Sequence, residues 1–503
     1  MIKEKKKITL YDPQVDEKEK LVNLPIELLA ISSLLYKDYE IKIFDCRDDK
    51  EEVIKQAKES ICFGLTCLTG FQISDGLEVA KAVRKVNPKV PLVWGGWHPS
   101  LSPEQTIKNE YVDIIVRGQG ERTFYDLVKA IDKGKSLKEI KGITYKKDGK
   151  IFYNIDRPRE SLNNFPPLPY HLIDFERYLI QSYYGKRVVG YISSQGCPYN
   201  CSFCADRALF KGIWKGLDAK RVLSDLKFLK EKYKIDGVLF LDNLFFVDEK
   251  RDREIMEGLI KLKLGWGRAL GRVNVLLRYS DDTWELMKKS KLHSIIIGAE
   301  SGLDENLKMI RKGFFVKDII NFHKKCKKYG IGVVSSLFIG VPGKPRDYLK
   351  KEFDGTYDLM YRLWKMNEDK NSFLFFTFIP YPGSPLYELA KQNGFKEPKS
   401  FEEWARFNFI NDIRKVRIQV PWVSKKYSEL VEIIPFYFLV ASKKYYNLIG
   451  RFSFPSRQFL RFSELLFRKI VVFRLKTKIF AFPIEYYAVD WFFRFKRSRL
   501  KKA

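Results

Sequence analysis

The stretch Gly196-Cys197-Pro-Tyr-Asn-Cys201-Ser-Phe203-Cys204 places three cysteines within eight residues, and no fourth cysteine lies near enough in sequence to complete a set. Three thiolates without a fourth ligand suit a cubane iron–sulfur cluster in which one iron stays open to chelation. A structural zinc site needs a fourth ligand, for which only the distant His171 offers itself, and three inert buried thiols are the remaining alternative. The four other cysteines, Cys46, Cys62, Cys67 and Cys326, are scattered through apolar stretches as core thiols are. Seven cysteines in 503 residues make no disulfide framework, and an oxygen-sensitive cluster points to a reducing cytoplasm.

The C-x3-C-x2-C spacing resembles the signature of the radical S-adenosylmethionine superfamily. The resemblance implies that Cys197, Cys201 and Cys204 ligate a [4Fe-4S] cluster, with Phe203 keeping one cluster face dry. It also implies that S-adenosylmethionine chelates the open iron and is cleaved to a 5′-deoxyadenosyl radical, with electrons from a donor such as ferredoxin or flavodoxin.

Downstream, the sequence predicts strands at Val188–Ser193, Gly237–Leu241, Val273–Leu277, Ser294–Gly298, Gly332–Ile339 and Phe373–Ile379, with helical stretches between them. Six such units fit a partial (β/α)6 barrel of the TIM type, whose chemistry sits at the carboxyl ends of the strands. Asp242 and Asn243 end the second strand and are placed to accept hydrogen bonds from the methionine ammonium. Arg278 would reach the methionine carboxylate. Glu300 and Ser301, in Gly298-Ala-Glu-Ser-Gly302, resemble the family's ribose- and carboxylate-binding strand end. Gly340-Val-Pro-Gly343 and Pro380-Tyr-Pro-Gly-Ser-Pro385 resemble the turns beside the adenine.

Ahead of the cysteines, residues 8–145 alternate strands (Glu40–Asp45, Ile61–Thr66, Val90–Trp94, Asp113–Val116) with amphipathic stretches (Ser74–Val86, Thr123–Ile131), the pattern of a doubly wound, Rossmann-like α/β sheet. Its ligand is expected outside the carboxyl ends of the strands. The glycine-bearing loops there resemble the cobalamin-binding domain that precedes many radical S-adenosylmethionine proteins. Carried over by position, Thr66, Thr69, Gly70, Gly95, Gly96, His98, Gly118, Gly120 and Glu121 would line the corrinoid. None of the four histidines follows Asp-x, so the Asp-x-His-x-x-Gly lower-ligand motif of other cobalamin methyltransferases is absent. His98 is then a loop histidine with a structural contact.

The expected organisation is a cobalamin-binding domain over 1–145, a linker over 146–185, the barrel over 186–395 and a mainly helical, basic, aromatic-rich domain over 396–503. The net charge of +30 asks for an anionic partner. Residues 424–503 carry 18 Lys and Arg against 5 Asp and Glu, and 20 of these 80 residues are aromatic. Phe452–Arg457, Phe459–Phe462, Leu465–Lys469, Val471–Lys476 and Trp491–Lys496 interleave rings with cations, a composition that favours peripheral association with an anionic membrane face over nucleic acid. A helical cap with solvated cations is the plainer alternative. The start of the sequence has no signal-peptide pattern, and no apolar run reaches membrane-spanning length.

Taken whole, the sequence resembles the class B methylases, the cobalamin-dependent radical S-adenosylmethionine enzymes. That resemblance implies methylation of an unactivated carbon of a hydrophobic, lipid- or pigment-like molecule. Ring or C–C bond formation on an isoprenoid membrane lipid is the first alternative. A tRNA methylthiotransferase, which would need a second cluster on cysteines such as Cys46, Cys62 and Cys67, is the second.

Overall fold

A computed structural model describes residues 5–16, 23–407, 420–442 and 457–487, with the backbone alone at 457–466. It divides into two compact units, of which the first takes residues up to Leu270, Lys289–His293 and Pro380–Lys415, and the second takes Gly271–Lys288, Ser294–Ile379 and Val416 onward.

The first unit opens with strands β1 (Lys7–Asp12), β2 (Glu40–Asp45), β3 (Ser60–Thr66), β4 (Leu92–Gly95), β5 (Ile114–Val116), β6 (Ile143–Lys147) and β7 (Lys150–Tyr153), paired in the order β2-β1-β3-β4-β5-β6-β7. The first five run parallel, and β6 and β7 close the edge as an antiparallel hairpin. Helices Phe71–Val86 and Gly120–Asp132 lie between strands, and Ile8, Leu10, Val93, Phe124 and Leu127 are buried in the core of this sheet. Apolar residues fill the strands because both sheet faces are covered. The boundary expected at residue 145 falls inside β6, since the β6–β7 ladder carries the sheet on to Tyr153.

Strands β8 (Ile180–Ser182) and β9 (Gly185–Tyr191) follow, then β10 (Ser194–Gln195) and β11 (Lys215–Gly216), which pair around the cysteine loop. Strands β12 (Gly237–Phe240) and β13 (Gly265–Gly267) join β9 in parallel, giving the order β13-β12-β9-β8. The expected strand Val273–Leu277 is instead the helix Val273–Leu276; the short segments β13 and β14 (Ala269–Gly271) are the strands of that region.

In the second unit β15 (Ser294–Glu300), β16 (Gly332–Ile339) and β17 (Asn371–Thr377) pair in parallel. Helices Val316–Tyr329, Tyr348–Met366, Lys425–Ala441 and Arg457–Thr477 belong to this unit. Phe438 of Lys425–Ala441 lies 4.9 Å from Phe373 of β17, and the Tyr357 hydroxyl donates to the Leu475 carbonyl at 2.5 Å. The architecture is therefore α/β with a Rossmann-like first sheet, a parallel-stranded second region and a helical carboxyl-terminal part. Of the basic aromatic runs, Phe452–Ser456, Trp491–Lys496 and the side chains up to residue 466 lie outside the described residues. Among the described residues no helix is long and apolar enough to cross a membrane.

Candidate active site

The cysteine loop leaves β9 through Ile192 and is held by three polar anchors. The buried Asp242 carboxylate accepts from the Ser193 amide at 2.6 Å, the Ser193 hydroxyl at 2.5 Å and the Ser194 hydroxyl at 2.8 Å. Burial pushes this carboxyl upward, and the serine donors hold it down. Asp242 is thus spent on the strand end, which corrects its expected contact with the methionine ammonium. Its neighbour Asn243 accepts from the Gly196 amide and donates to Asp206, both at 3.1 Å, tying the two flanks of the cysteine loop together. Gly196 has φ +84°, and a Cβ there would lie 2.3 Å from the Ile213 carbonyl, so this corner admits only glycine.

Inside the loop the Cys204 amide donates to the Cys201 carbonyl at 3.2 Å. Burial raises the Cys204 thiol, followed by the charge of Asp206; the adjacent Cys201 and Cys197 raise it further. Thiols that suppress one another's ionisation are what bound iron would reverse. Three neighbouring thiols suit separate irons of one cluster. His171 packs edge-on against Tyr36 at 5.2 Å. The Pro380–Pro385 turn packs on this same loop: Leu386 donates to the Ser202 carbonyl at 2.9 Å, and a Cβ at Gly383 would lie 2.6 Å from Ala208.

Beside the loop lies a cavity of about 330 Å³, within the roughly 300–1,000 Å³ usual for ligand pockets. It sits at the carboxyl ends of β3, β4 and β5, where the order β2-β1-β3 reverses direction. Thr66, Gly95, Gly96, Gly118, Gly120 and Glu121 line it, together with Trp97, Gln119, Arg159, Gln195, Phe210 and Asn243. Packing does not demand glycine at 95, where an added Cβ would meet nothing closer than 3.7 Å, or at 118, where it would meet nothing within 4 Å, although φ +69° favours glycine at 118. Their missing side chains leave a bare backbone wall, which fits the broad face of a corrinoid. Gly96 differs: at φ +94° its Cβ would press on the Cys67 carbonyl and Thr66 hydroxyl at 2.8 Å.

Thr69, Gly70 and His98 do not line the cavity. The Thr69 hydroxyl meets His98 Nδ1 at 2.9 Å, and His98 is buried against Phe401 and Trp404, each 5.4 Å away. Burial drops its pKa to about 3, so the ring is neutral. Gly70 faces the Phe407 carbonyl. Residues 398–407, expected in the carboxyl-terminal domain, instead cover this loop: Gln105 bonds the Pro398 carbonyl at 3.1 Å and accepts from Trp404 at 2.6 Å. No local signal foretells a lid from so far along the chain. Arg159 and Phe210 were also missed; the guanidinium stacks 4.8 Å above the ring, which meets Trp97 edge-on at 5.8 Å.

In the second unit Arg278 is exposed at the end of the helical turn Val273–Leu276, which removes the strand end expected to aim it. Glu300, at φ +63°, is buried and pairs with Lys312 at 2.8 Å. The buried Ser301 hydroxyl accepts from the Leu303 amide at 3.2 Å. Gly340 donates to Glu352 at 2.9 Å and its carbonyl accepts from Trp422 at 2.8 Å. Of the three cysteines of the methylthiotransferase alternative, Cys62 lies within β3, Cys67 just past its end and Cys46 in the turn after β2; all three are buried, and burial raises the Cys62 and Cys67 thiols.

The comparisons with known proteins agree with this geometry. The radical SAM superfamily model matches residues 191–354 and the B12 binding domain model matches 19–128. An uncharacterized methyltransferase of Pyrococcus horikoshii is 30% identical over 406 residues, 78% of this chain and 83% of that one. The chain belongs to the cobalamin-dependent radical S-adenosylmethionine methylase family. This radical S-adenosylmethionine enzyme is also 28% identical to the anaerobic magnesium-protoporphyrin IX monomethyl ester cyclase of Rubrivivax gelatinosus, over 73% of this chain and 64% of that one. The cobalamin-dependent radical enzyme OxsB, solved with aqua-cobalamin bound, shares its fold with a TM-score of 0.70 at 20% identity, covering 94% of this chain and 72% of OxsB. A [4Fe-4S] cluster, S-adenosylmethionine and cobalamin are accordingly the cofactors of this enzyme.

Proposed function

We propose that this enzyme methylates an unactivated carbon of a hydrophobic, lipid- or pigment-like substrate. The observation that carries it is the shared wall of the first unit: Gln195 and Asn243, which flank and anchor the cysteine loop, also line the glycine-walled cavity. When bound, the cluster with S-adenosylmethionine supplies the means of removing a hydrogen atom from carbon, and the corrinoid supplies the methyl group. The chain supplies position and dryness. Cys197, Cys201 and Cys204 would hold the cluster, Phe203 would keep one of its faces dry, and Asn243 ties the loop to the cavity wall. Thr66, Gly95, Gly118 and Glu121 bed the corrinoid, while the Arg159–Phe210 stack flanks its rim. Glu300, Ser301 and Gly340 serve S-adenosylmethionine as backbone and shape at the strand ends, their polar groups being already engaged.

A second reading, ring or C–C bond formation on an isoprenoid lipid, is supported by the cyclase relative and by Phe473, Phe482 and Ile484, exposed near Lys476 and Lys478 as a peripheral membrane contact at the cytoplasmic face would need. Anaerobically reconstituted enzyme given dithionite, methyl-labelled S-adenosylmethionine and a cellular lipid and pigment extract separates the two. Methylation predicts 5′-deoxyadenosine together with label in an organic-soluble product. Ring formation predicts 5′-deoxyadenosine with an unlabelled product two hydrogens lighter. No change in any extractable compound overturns both.

A further inference from the structure

The helix Tyr348–Met366 carries a buried carboxylate that the chemistry above leaves unused. Glu352 is 1% exposed, and its two oxygens face three donors: the Gly340 amide at 2.9 Å, the Val341 amide at 3.5 Å and Asn306 Nδ2 at 2.9 Å. A carboxylate is costly to bury, and an apolar side chain of similar size often serves stability as well. A charge kept here asks for a role besides packing.

Its three donors belong to two different strand ends. Gly340 and Val341 directly follow β16, and Gly340 has φ +86°. Asn306, fully buried in the helix Asp304–Met309, reaches the end of β15, where its Nδ2 also approaches the Ser301 hydroxyl at 3.4 Å. The Tyr348 hydroxyl donates to Asn306 Oδ1 at 2.6 Å, which orients the amide with its nitrogen toward Glu352. The helix bearing Glu352 grips the β15 end a second time: the Gly302 amide donates to the Thr356 hydroxyl at 3.2 Å, and a Cβ at Gly302 would overlap the Gly355 carbonyl.

We propose that Glu352 is a positioning residue for S-adenosylmethionine, its ionised carboxylate setting the spacing between the Ser301–Gly302 strand end and the Gly340–Val341 turn. The proposal rests on the reading above in which Ser301 and Gly340 serve that cofactor, and it names the group that holds them together. Protonation turns one carboxylate oxygen from acceptor to donor, so one of the three N–H groups loses its partner and the turn loosens. Burial pushes the Glu352 carboxyl up to about 7, against the opposing pull of the Gly340 and Val341 amides, Asn306 and the charge of Lys344. Tyr348, with Glu305 beside it, is the other titratable group that faces it among the described residues. Glu352 is therefore ionised above about pH 7 and protonated below it.

The test is equilibrium dialysis of labelled S-adenosylmethionine against full-length enzyme loaded with cluster and cobalamin, anaerobic and without reductant, from pH 8 to pH 6. An α-amino group such as the cofactor's also titrates near this range, so the quantity read is the ratio of Kd between Glu352→Gln and wild type. At pH 8 the variant should bind about tenfold more weakly, and with a carboxyl at about 7 the ratio should close to about twofold at pH 6. A ratio near one at pH 8, or one that stays constant down to pH 6, in a variant with native circular dichroism overturns the assignment. Should Glu352→Gln lose its native circular dichroism, Lys344→Met serves in its place. Removing that cation raises the carboxyl further, so the pH at which cofactor affinity falls should move upward; an unmoved profile overturns the assignment. The readout needs no turnover: a flat ratio with methylation intact defeats this inference alone, and the expected ratio with no methylated or cyclised product defeats the proposed function alone.

Discussion

Asn243 is the residue where the cysteine loop and the glycine-walled cavity meet, and Asn243→Ala removes both of its hydrogen bonds without filling the space. The Gly196 amide loses its acceptor and the Asp206 carboxylate its donor. Two part-buried bonds at about 0.5–1.5 kcal/mol each give roughly 1–3 kcal/mol. Removing one partner leaves the other desolvated, which places the cost toward the upper end. If that energy is lost from loop placement during turnover, the rate falls roughly 5- to 150-fold, at tenfold per 1.4 kcal/mol. The assay is 5′-deoxyadenosine formed per bound iron, under anaerobic conditions, with iron content and thermal unfolding measured on the same samples. A lowered rate per iron with most of the iron retained is expected. A wild-type rate per iron and an unchanged melting temperature would refute the assignment of Asn243 as the anchor between loop and cavity.

Gly196→Ala should fold its first sheet yet retain little iron after reconstitution, since its Cβ would overlap the Ile213 carbonyl and its φ is left-handed; native iron content would contradict this. His98, whose folded pKa is depressed to about 3, binds fewer protons folded than unfolded, so its contribution is present above pH 6.5 and is lost as pH falls toward 3. The limit is roughly 4–5 kcal/mol, and His98→Phe should flatten the acid slope in urea denaturation measured between pH 6.5 and 4. Lys312→Met should destabilise by roughly 3–5 kcal/mol because it strands a buried Glu300, and the double change with Glu300→Leu should recover much of that loss in the same denaturation assay.

The doubly wound first sheet was legible because continuous apolar runs mark strands buried on both faces, and β2 to β5 fall where those runs lie. Val273–Leu277 misled because a short apolar run is as compatible with a buried helical turn, and the strand segments Gly265–Gly267 and Ala269–Gly271 are too short and glycine-rich to announce themselves. Six of the nine expected corrinoid residues line the cavity because they sit directly at strand ends. Thr69, Gly70 and His98 were misplaced by a cover made of Phe401, Trp404 and Phe407, about 300 residues later, which no local pattern reveals. Position at a strand end points to Asp242 as a ligand contact and family resemblance points to Glu300, but in the fold their buried carboxylates are committed to Ser193, Ser194 and Lys312.

The proposed radical chemistry depends most directly on Cys197, Cys201 and Cys204 holding iron with one vertex open. Mössbauer spectra of ⁵⁷Fe-reconstituted enzyme should show one iron in four change its isomer shift when S-adenosylmethionine is added. Spectra in which all irons remain equivalent, with the cofactor bound, would contradict it.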